Sequence, residues 1–189
     1  MQNVRDLKEL NMKSEHLILV DQYDQELGVE EKLKTHQEGR LHRAFSIFVY
    51  DDVGRLLLQK RARTKYHSAG LWSNTCCGHP RPGELTLAAA HRRLGEEMNF
   101  SCELRKFFAF QYHAELENNL IENEYDHVFI GKFSGAPIPA ADEVEDWKWI
   151  EMSELQKDLR RRPDEYSYWL RKALERSEWR FLNAFLGAF

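Results

Sequence analysis

The chain has 189 residues, of which 42% are hydrophobic, and its formal net charge is −4 at pH 7. This length suits one compact domain, and neither the small negative charge nor the short apolar runs give reason to expect nucleic acid or a membrane as a partner. The three cysteines, two of them adjacent, cannot form a sensible disulfide framework, so we expect a protein of the reducing cytoplasm. Basic residues cluster locally, so we expect a small anionic ligand. We also expect a monomer.

The first half of the chain predicts a short extension followed by strands and polar turns. Residues 1–14 have weak helical periodicity and many charges, which indicates a short helix or a frayed tail. We therefore divide the chain into an extension, 1–15, and a single domain, 16–189. Strands rich in β-branched and aromatic residues are predicted at 16–20, 42–50 and 55–60. Polar turns are predicted at 21–28 and 51–54.

The central stretch, Trp72 to Phe100, predicts a strand, a Gly/Pro loop and a helix. The strand covers residues 72–77, and the helix starts near Glu84. Apolar residues recur along this helix at the spacing of one helical face, namely at Leu87, Ala90, Leu94 and Met98. A glycine-containing loop that opens a helix is a common place for phosphate and metal chemistry.

The second half of the chain predicts further strands and two closing helices. The strands are predicted at 102–114, 121–133 and 147–150. Ser153 is the predicted N-cap of a helix that ends near Arg162, and Pro163 separates it from a last amphipathic helix at 164–186. Strands on both sides of a central helix indicate a mixed α/β sandwich flanked by helices.

Several histidines and carboxylates have spacings that suit a metal site. Cys77 and His79 share one face if the backbone is extended there, and so do Glu122 and Glu124 in their predicted strand. His36 and His42 lie in and just after the loop before the first long strand, from which they could reach the same point. Imidazoles combined with carboxylates suit Mn, Fe or Zn.

Each of these residues also has an ordinary structural interpretation. A lone histidine such as His67, His91, His113 or His127 is more often a core or surface residue than a ligand. Adjacent Cys76 and Cys77 could be small buried hydrophobes. The basic loop with Arg61 and Lys65 could serve solubility alone, and Trp169 could be a core residue.

The central helix resembles the Nudix box, whose carboxylates hold a divalent cation against a diphosphate. The matching positions are Gly78, Glu84, Arg92, Leu94, Glu96, Glu97 and Phe100. Arg93 stands where Nudix hydrolases have a glutamate that helps to activate water, and Asn99 replaces a glycine at the helix end. Asn tolerates a left-handed helix end, whereas Arg93 argues against ordinary hydrolysis.

Four segments together resemble type 1 isopentenyl-diphosphate delta-isomerase. They are the TCCGHP motif at 75–80, the modified Nudix helix, the paired histidines of THQEGRLHRAFS and the ENE motif at 122–124. The resemblance covers residues 32–169. It implies a Nudix-like fold and an enzyme of isoprenoid biosynthesis that converts isopentenyl diphosphate to dimethylallyl diphosphate through a tertiary carbocation, with the diphosphate left intact.

The resemblance also implies a role for individual residues. The implied ligands of a tightly bound Mn²⁺ or Zn²⁺ are His36, His42, His79, Glu122 and Glu124. Glu97 and the Cys77 carbonyl are the implied ligands of Mg²⁺, which arrives with the substrate diphosphate. The residues that grip this diphosphate are implied to be Lys32, Arg61, Lys65 and Arg93.

Four residues are implied to handle the reacting carbons. Glu124 with Tyr112 would protonate one face of the alkene, and Cys77 as a thiolate would take the proton from the other face. Trp169 would stabilise the carbocation through its ring quadrupole. Two other functions stay open, namely a Nudix hydrolase of a nucleoside diphosphate derivative and a metal-containing binding module without catalysis.

Overall fold

The computed structural model describes residues 15–65, 67–187 and 189, and its secondary structure alternates between strands and short helices. The strands are β1 (His16–Val20), β2 (Glu26–Glu31), β3 (His42–Tyr50), β4 (Leu56–Arg61), β5 (Trp72–Ser73), β6 (Cys76–Gly78), β7 (Leu104–Glu115), β8 (Ile121–Lys132) and β9 (Val144–Ile150). The α-helices are α1 (Lys32–Glu38), α2 (Thr86–Met98), α3 (Met152–Arg161), α4 (Tyr168–Leu174) and α5 (Leu182–Leu186). None of the helices in the described ranges is long and apolar enough to cross a membrane.

The strands form one mixed sheet with β3 at its centre. β3 pairs antiparallel with β1, β4 and β6, and it pairs parallel with β8 from His42↔Glu124 to Tyr50↔Lys132. β7 runs antiparallel to β8, and β9 runs antiparallel to β4. The parallel pairing aligns the first residues of β3 with the carboxylates of β8, at one end of the sheet.

Side chains of β3 alternate between two cores, one on each face of the sheet. Phe48 and Tyr50 join a cluster that includes residues of α3 and α4. Ile47 and Val49 join a second cluster against Leu94 and its neighbours on α2. This alternation is what a strand buried on both faces requires. The predicted fold class, a mixed α/β sandwich flanked by helices, is confirmed.

The strand predictions for β1, β3, β4, β7 and β8 are accurate to within two residues at each end. The predicted turn at 21–28 is too long, because β2 begins at Glu26. The last predicted strand, 147–150, is too short, because β9 begins at Val144 and pairs with β4 over most of its length.

The strand predicted at 72–77 is in fact two short strands, β5 and β6. Between them Asn74 donates through its side chain to the Ile47 and Cys76 carbonyls. The Thr75 hydroxyl accepts from the amide of Val49. Hydrogen bonds from side chains thus replace the backbone hydrogen bonds of a continuous strand at this point.

Two helix predictions need correction. Glu151, and not Ser153, precedes α3, and its side chain makes no capping hydrogen bond. The last predicted helix, 164–186, is divided into α4, α5 and short 3₁₀ turns. The amide of Ser167 donates to the Trp72 carbonyl at 2.8 Å, which ties the chain to β5 and starts α4 only at Tyr168. The predicted extension, 1–15, lies outside the described residues except for Glu15, so the domain boundary stays a prediction.

We expect Gly131→Ala to lower the free energy of unfolding by about 1 to 3 kcal/mol, because an added methyl group overpacks the core. A Cβ at Gly131 would lie 2.8 Å from both Cys102 Sγ and Leu104 Cδ2. Gly95→Ala is the matched control. Gly95 lies on the exposed side of α2, with no described neighbour within 4 Å of an added methyl group, so this change should stabilise the protein by about 0.5 to 1 kcal/mol. Urea unfolding measures the free energy of unfolding of both variants. Equal midpoints of the two unfolding transitions would contradict the packing argument.

Candidate active site

A cavity of about 670 Å³ opens on the face of the sheet, with β3, β6, β7 and β8 in its wall. Its wall includes Cys77 from β6, Tyr112 from β7, Glu122 and Glu124 from β8, and Trp169 from α4. Basic side chains line the other end, next to α2. One cavity therefore brings together a thiol, carboxylates, an aromatic ring and a group of cations.

Three histidines and two glutamates meet at the inner end of this cavity. Side-chain ligand atoms of His36, His42, His79 and Glu122 lie within 4.8 Å of one another. The Nε2 atom of His36 is 3.4 Å from Glu122 Oε2, and His79 Nε2 is 2.9 Å from Glu124 Oε1. His42 Nε2 lies 3.7 Å from the same Glu124 oxygen. The parallel register of β3 and β8 is what puts His42 beside Glu124.

The histidines of this cluster are oriented with a lone pair towards its centre. His36 Nδ1 lies 2.7 Å from the Lys32 carbonyl and His42 Nδ1 lies 2.9 Å from the Arg40 carbonyl. A carbonyl only accepts, so Nδ1 carries the proton and Nε2 is left as a ligand atom. Within the part of the chain that the structure describes, neither His42 Nε2 nor Glu122 Oε2 has a hydrogen-bond partner.

Burial keeps the imidazole of His79 neutral. Burial, with the charges of neighbouring histidines and Lys32, lowers the pKa of His79 well below its ordinary value. A neutral imidazole is the form that binds a metal ion. Buried polar atoms without partners and the neutral His79 imidazole beside carboxylates are compatible with a divalent metal ion in the cluster.

The basic end of the cavity is formed by side chains from three segments. Its cations include Lys32, Arg61, Lys65 and Arg93. Arg93 contacts Glu97 on its own helix, and the buried Glu97 also accepts from Gln59 Nε2 at 3.0 Å. Arg93 is thus held by a carboxylate of its own helix.

Cys77 and Glu124 both face the cavity, from β6 and β8, which pair with β3 on either side. Cys77 pairs in register with Ser46 of β3, and it packs against the core on the cavity side, whereas Cys76 is buried in the core under α2. Tyr112 donates its hydroxyl proton to Glu124 Oε2 at 2.5 Å. Glu124 therefore has one oxygen on the histidine cluster and the other on Tyr112.

The thiolate form implied for Cys77 stays a prediction, because the resemblance places the sulfur beside bound cations. Burial raises the pKa of Cys77 to about 12, and the lowering effect of Arg61 is opposed by the charges of Glu97 and Glu124. In the protein without bound cations, Cys77 is therefore a thiol.

Trp169 is buried and fixed in the cavity wall. Its Nε1 donates to the Ser73 hydroxyl at 2.8 Å. The guanidinium carbon of Arg61 lies 5.1 Å from the centre of the ring, which is a cation–π distance. The ring thus already has a cation as its neighbour.

Three features of the site differ from the expectation or are absent from it. His36 lies on helix α1 and not in a loop, so its carbonyl partner is Lys32 one turn earlier. His67 is buried, in agreement with a core role, but its contacts are absent from the expectation: Nε2 lies 3.4 Å from Glu122 Oε1, and the ring is edge-on to Trp169. Glu143 lines the basic end. The basic loop around His67 is a signal that could have pointed to it, but no pattern marks Glu143.

All the residues singled out for catalysis and diphosphate binding line this one cavity. His36 and His42 lie directly behind it, in contact with its carboxylates. Residues 40–170 match the family model of the NUDIX domain, so the chain is a protein of the NUDIX class.

Two curated relatives identify the family more closely. The chain is 57% identical to isopentenyl-diphosphate Delta-isomerase 1 of Aromatoleum aromaticum over 162 residues, which is 86% of this chain and 92% of that protein. It is 59% identical to isopentenyl-diphosphate Delta-isomerase 2 of Photorhabdus laumondii over 160 residues, 85% of this chain and 90% of that protein. The chain belongs to the isopentenyl-diphosphate Delta-isomerase family.

A solved structure shares the fold. The crystal structure of a MutT NUDIX hydrolase from Burkholderia pseudomallei has a TM-score of 0.58 and 22% identity, and the alignment covers 72% of this chain and 98% of that one. At this identity the likeness concerns the architecture alone.

We expect the alkylation of Cys77 by iodoacetamide in the metal-free protein to accelerate about tenfold per pH unit from pH 7 to 10, because the thiolate fraction of a thiol with a pKa of about 12 rises in that proportion. Mass spectrometry of a Cys76→Ala/Cys102→Ala background follows the single remaining cysteine. Added Mn²⁺ should accelerate the reaction at pH 7, since nearby positive charge favours the thiolate. A rate that levels off below pH 9 without metal would contradict the raised pKa.

Proposed function

We propose that this protein converts isopentenyl diphosphate to dimethylallyl diphosphate. The observation that carries the proposal is that Cys77 and Glu124 face one cavity beside a group of cations, in a chain of the isopentenyl-diphosphate Delta-isomerase family. The cations would hold the diphosphate at one end, and the five-carbon chain would extend towards Trp169. The substrate then lies between a sulfur and a carboxyl group.

The reaction moves one double bond and changes neither the atom count nor the charge of the substrate. A proton is added to C4, which leaves a tertiary carbocation at C3. A proton then leaves C2, and its bonding electrons form the new double bond. Two groups that exchange protons with the alkene are therefore needed, and the diphosphate takes no part in bond breaking.

Glu124 and Tyr112 form the proposed proton donor, and Cys77 the proposed acceptor. The Tyr112 hydroxyl donates to Glu124 Oε2, so a proton that reaches this pair can be passed on at the carboxyl oxygen. Cys77 holds a proton at Sγ in the substrate-free site. The sulfur accepts the proton from C2 only as a thiolate, so its own proton must first pass to solvent, a change that bound cations would favour.

Two metal sites are proposed from this chain's own ligands. His36, His42, His79, Glu122 and Glu124 would hold Mn²⁺ or Zn²⁺, and Glu97 with the Cys77 carbonyl would hold Mg²⁺ together with the diphosphate. When bound, these cations would supply positive charge that favours the anionic forms of the diphosphate, the carboxylate and the thiol.

The charge of α2 argues against diphosphate hydrolysis. Arg93 contacts Glu96 and Glu97 through its guanidinium group, where a hydrolase of this class would have a further carboxylate to activate water. Lys32, Arg61, Lys65 and Arg93 are proposed to bind the diphosphate oxygens with charge-assisted hydrogen bonds. The cytoplasmic location and the monomeric state stay predictions from the sequence.

We expect the wild-type protein, incubated with isopentenyl diphosphate and Mg²⁺ in deuterated water, to form dimethylallyl diphosphate with deuterium in its new methyl group. Cys77→Ala and Glu124→Gln should each lower the turnover by about 10²- to 10⁴-fold, the usual contribution of an acid–base group. Nuclear magnetic resonance of the product measures both effects.

Cys102→Ala is the control in this assay, because Cys102 is half-buried next to the opposite core. Release of inorganic phosphate from nucleoside diphosphate derivatives, without isomer formation, would support a hydrolase instead. Binding of the prenyl diphosphate with no deuterium exchange would support a binding module. Full activity of Cys77→Ala would refute the assigned roles.

We expect Trp169→Ala to lower kcat by about 5- to 30-fold with a much smaller change in KM, since a desolvated cation–π contact is worth ~1 to 2 kcal/mol in the transition state. Trp169→Phe keeps a ring and should lose less. Steady-state kinetics of both variants, with melting temperatures to check folding, make the test. Equal losses in kcat and in substrate affinity would count against a role at the carbocation.

A further inference from the structure

Glu143 lies just before β9, and its carboxylate is directed into the basic end of the cavity. Its Oε2 atom contacts Lys65 Nζ and lies 3.3 Å from Arg93 Nη2. The two cations come from distant parts of the chain, the loop after β4 and helix α2. A single carboxylate oxygen therefore bridges them.

The backbone around Glu143 ties the same two segments together. The Ala62 amide donates to the Glu143 carbonyl at 3.0 Å, one residue after Arg61. The Ala140 amide donates to the Glu97 carbonyl on α2 at 2.9 Å, and the Glu143 amide donates back to the Ala140 carbonyl. The segment 140–143 thus connects the basic loop to α2 through both its main chain and a side chain.

We propose that Glu143 is a positioning residue that assembles Lys65 and Arg93 into one diphosphate clamp before the substrate arrives. The inference rests on the proposed role of these two cations in substrate binding. Glu143 itself need not touch the substrate.

Glu143 can position Lys65 and Arg93 without competing with the diphosphate, because each cation has more N–H donors than Glu143 uses. An ammonium group has three N–H donors and a guanidinium group has five. Glu143 uses one side of each cation, and Lys65 and Arg93 are still about one-fifth exposed, with side-chain exposures of 21% and 22%. Arg93 also contacts Glu96 and Glu97, and the donors that the three carboxylates leave unused on Lys65 and Arg93 can face a phosphate oxygen. Without Glu143, Lys65 regains rotamer freedom that substrate binding must remove.

Glu145 is a matched control two residues further along. It pairs with Lys60 at 3.5 Å and with Arg63 at 3.2 Å, but Arg63 is 76% exposed and none of the three lines the cavity. Exposed pairs of this kind contribute little. Glu143→Gln and Glu145→Gln remove the same charge from the same short segment, and only the first removes the bridge.

We expect Glu143→Gln to raise KM for isopentenyl diphosphate about 5- to 10-fold and to change kcat less than threefold, consistent with the loss of one partly buried charge contact. Glu145→Gln should leave both constants unchanged. Glu143→Asp keeps the charge and should recover part of the affinity. A decrease of KM in Glu143→Gln would mean that Glu143 competes with the substrate, and equal shifts in both Gln variants would mean a general charge effect. Either result overturns the proposal.

Calorimetric titration with inorganic pyrophosphate and Mg²⁺ separates this inference from the proposed function. Glu143→Gln should weaken pyrophosphate binding in the wild-type background and have no further effect in a Lys65→Gln/Arg93→Gln background, because its targets are then absent. The titration does not depend on turnover, so the expected loss of pyrophosphate affinity can be measured even if the protein lacks isomerase activity. An undiminished effect in the background without both cations would refute the positioning role even if isomerisation is observed.

Discussion

The active site depends on the parallel pairing of β3 with β8. This pairing aligns His42 with Glu124, and the alternation of side chains along β8 then directs Glu122 and Glu124 to the same face. A shift of one residue would turn both carboxylates towards the core under α2. The long apolar segment of β3, buried on both faces, fixes the register and therefore the position of the histidines and carboxylates of the site.

The local patterns of the sequence predict most of the fold. Alternating and β-branched residues reveal β3, β4, β7 and β8, and helical spacing reveals α2. The failures have a tertiary cause. The strand expected at 72–77 is divided because Asn74 and Thr75 bond neighbouring strands through their side chains, and the last helix is divided because its first turn is held against β5. Contacts between distant segments leave no periodic signal along the chain.

The sequence indicates which residues form the site better than it indicates their protonation states. Motif spacing singles out Cys77, His79 and the two glutamates of the ENE motif, but it carries no information on burial. The pKa of Cys77 depends on how deeply the sulfur is enclosed and on which carboxylates surround it, and both follow from packing. Glu143 could not be predicted for a similar reason, since it acts through a pairing across 78 residues of sequence with Lys65.

Helix α1 links two chemically different parts of the site. One turn of this helix carries Lys32, at the mouth of the cavity, and His36, whose Nδ1 proton is accepted by the Lys32 carbonyl. The ammonium group and the imidazole are therefore joined by a single rigid turn. An ion held by the imidazole and a phosphate held by the ammonium group would therefore keep a separation that this one helical turn sets.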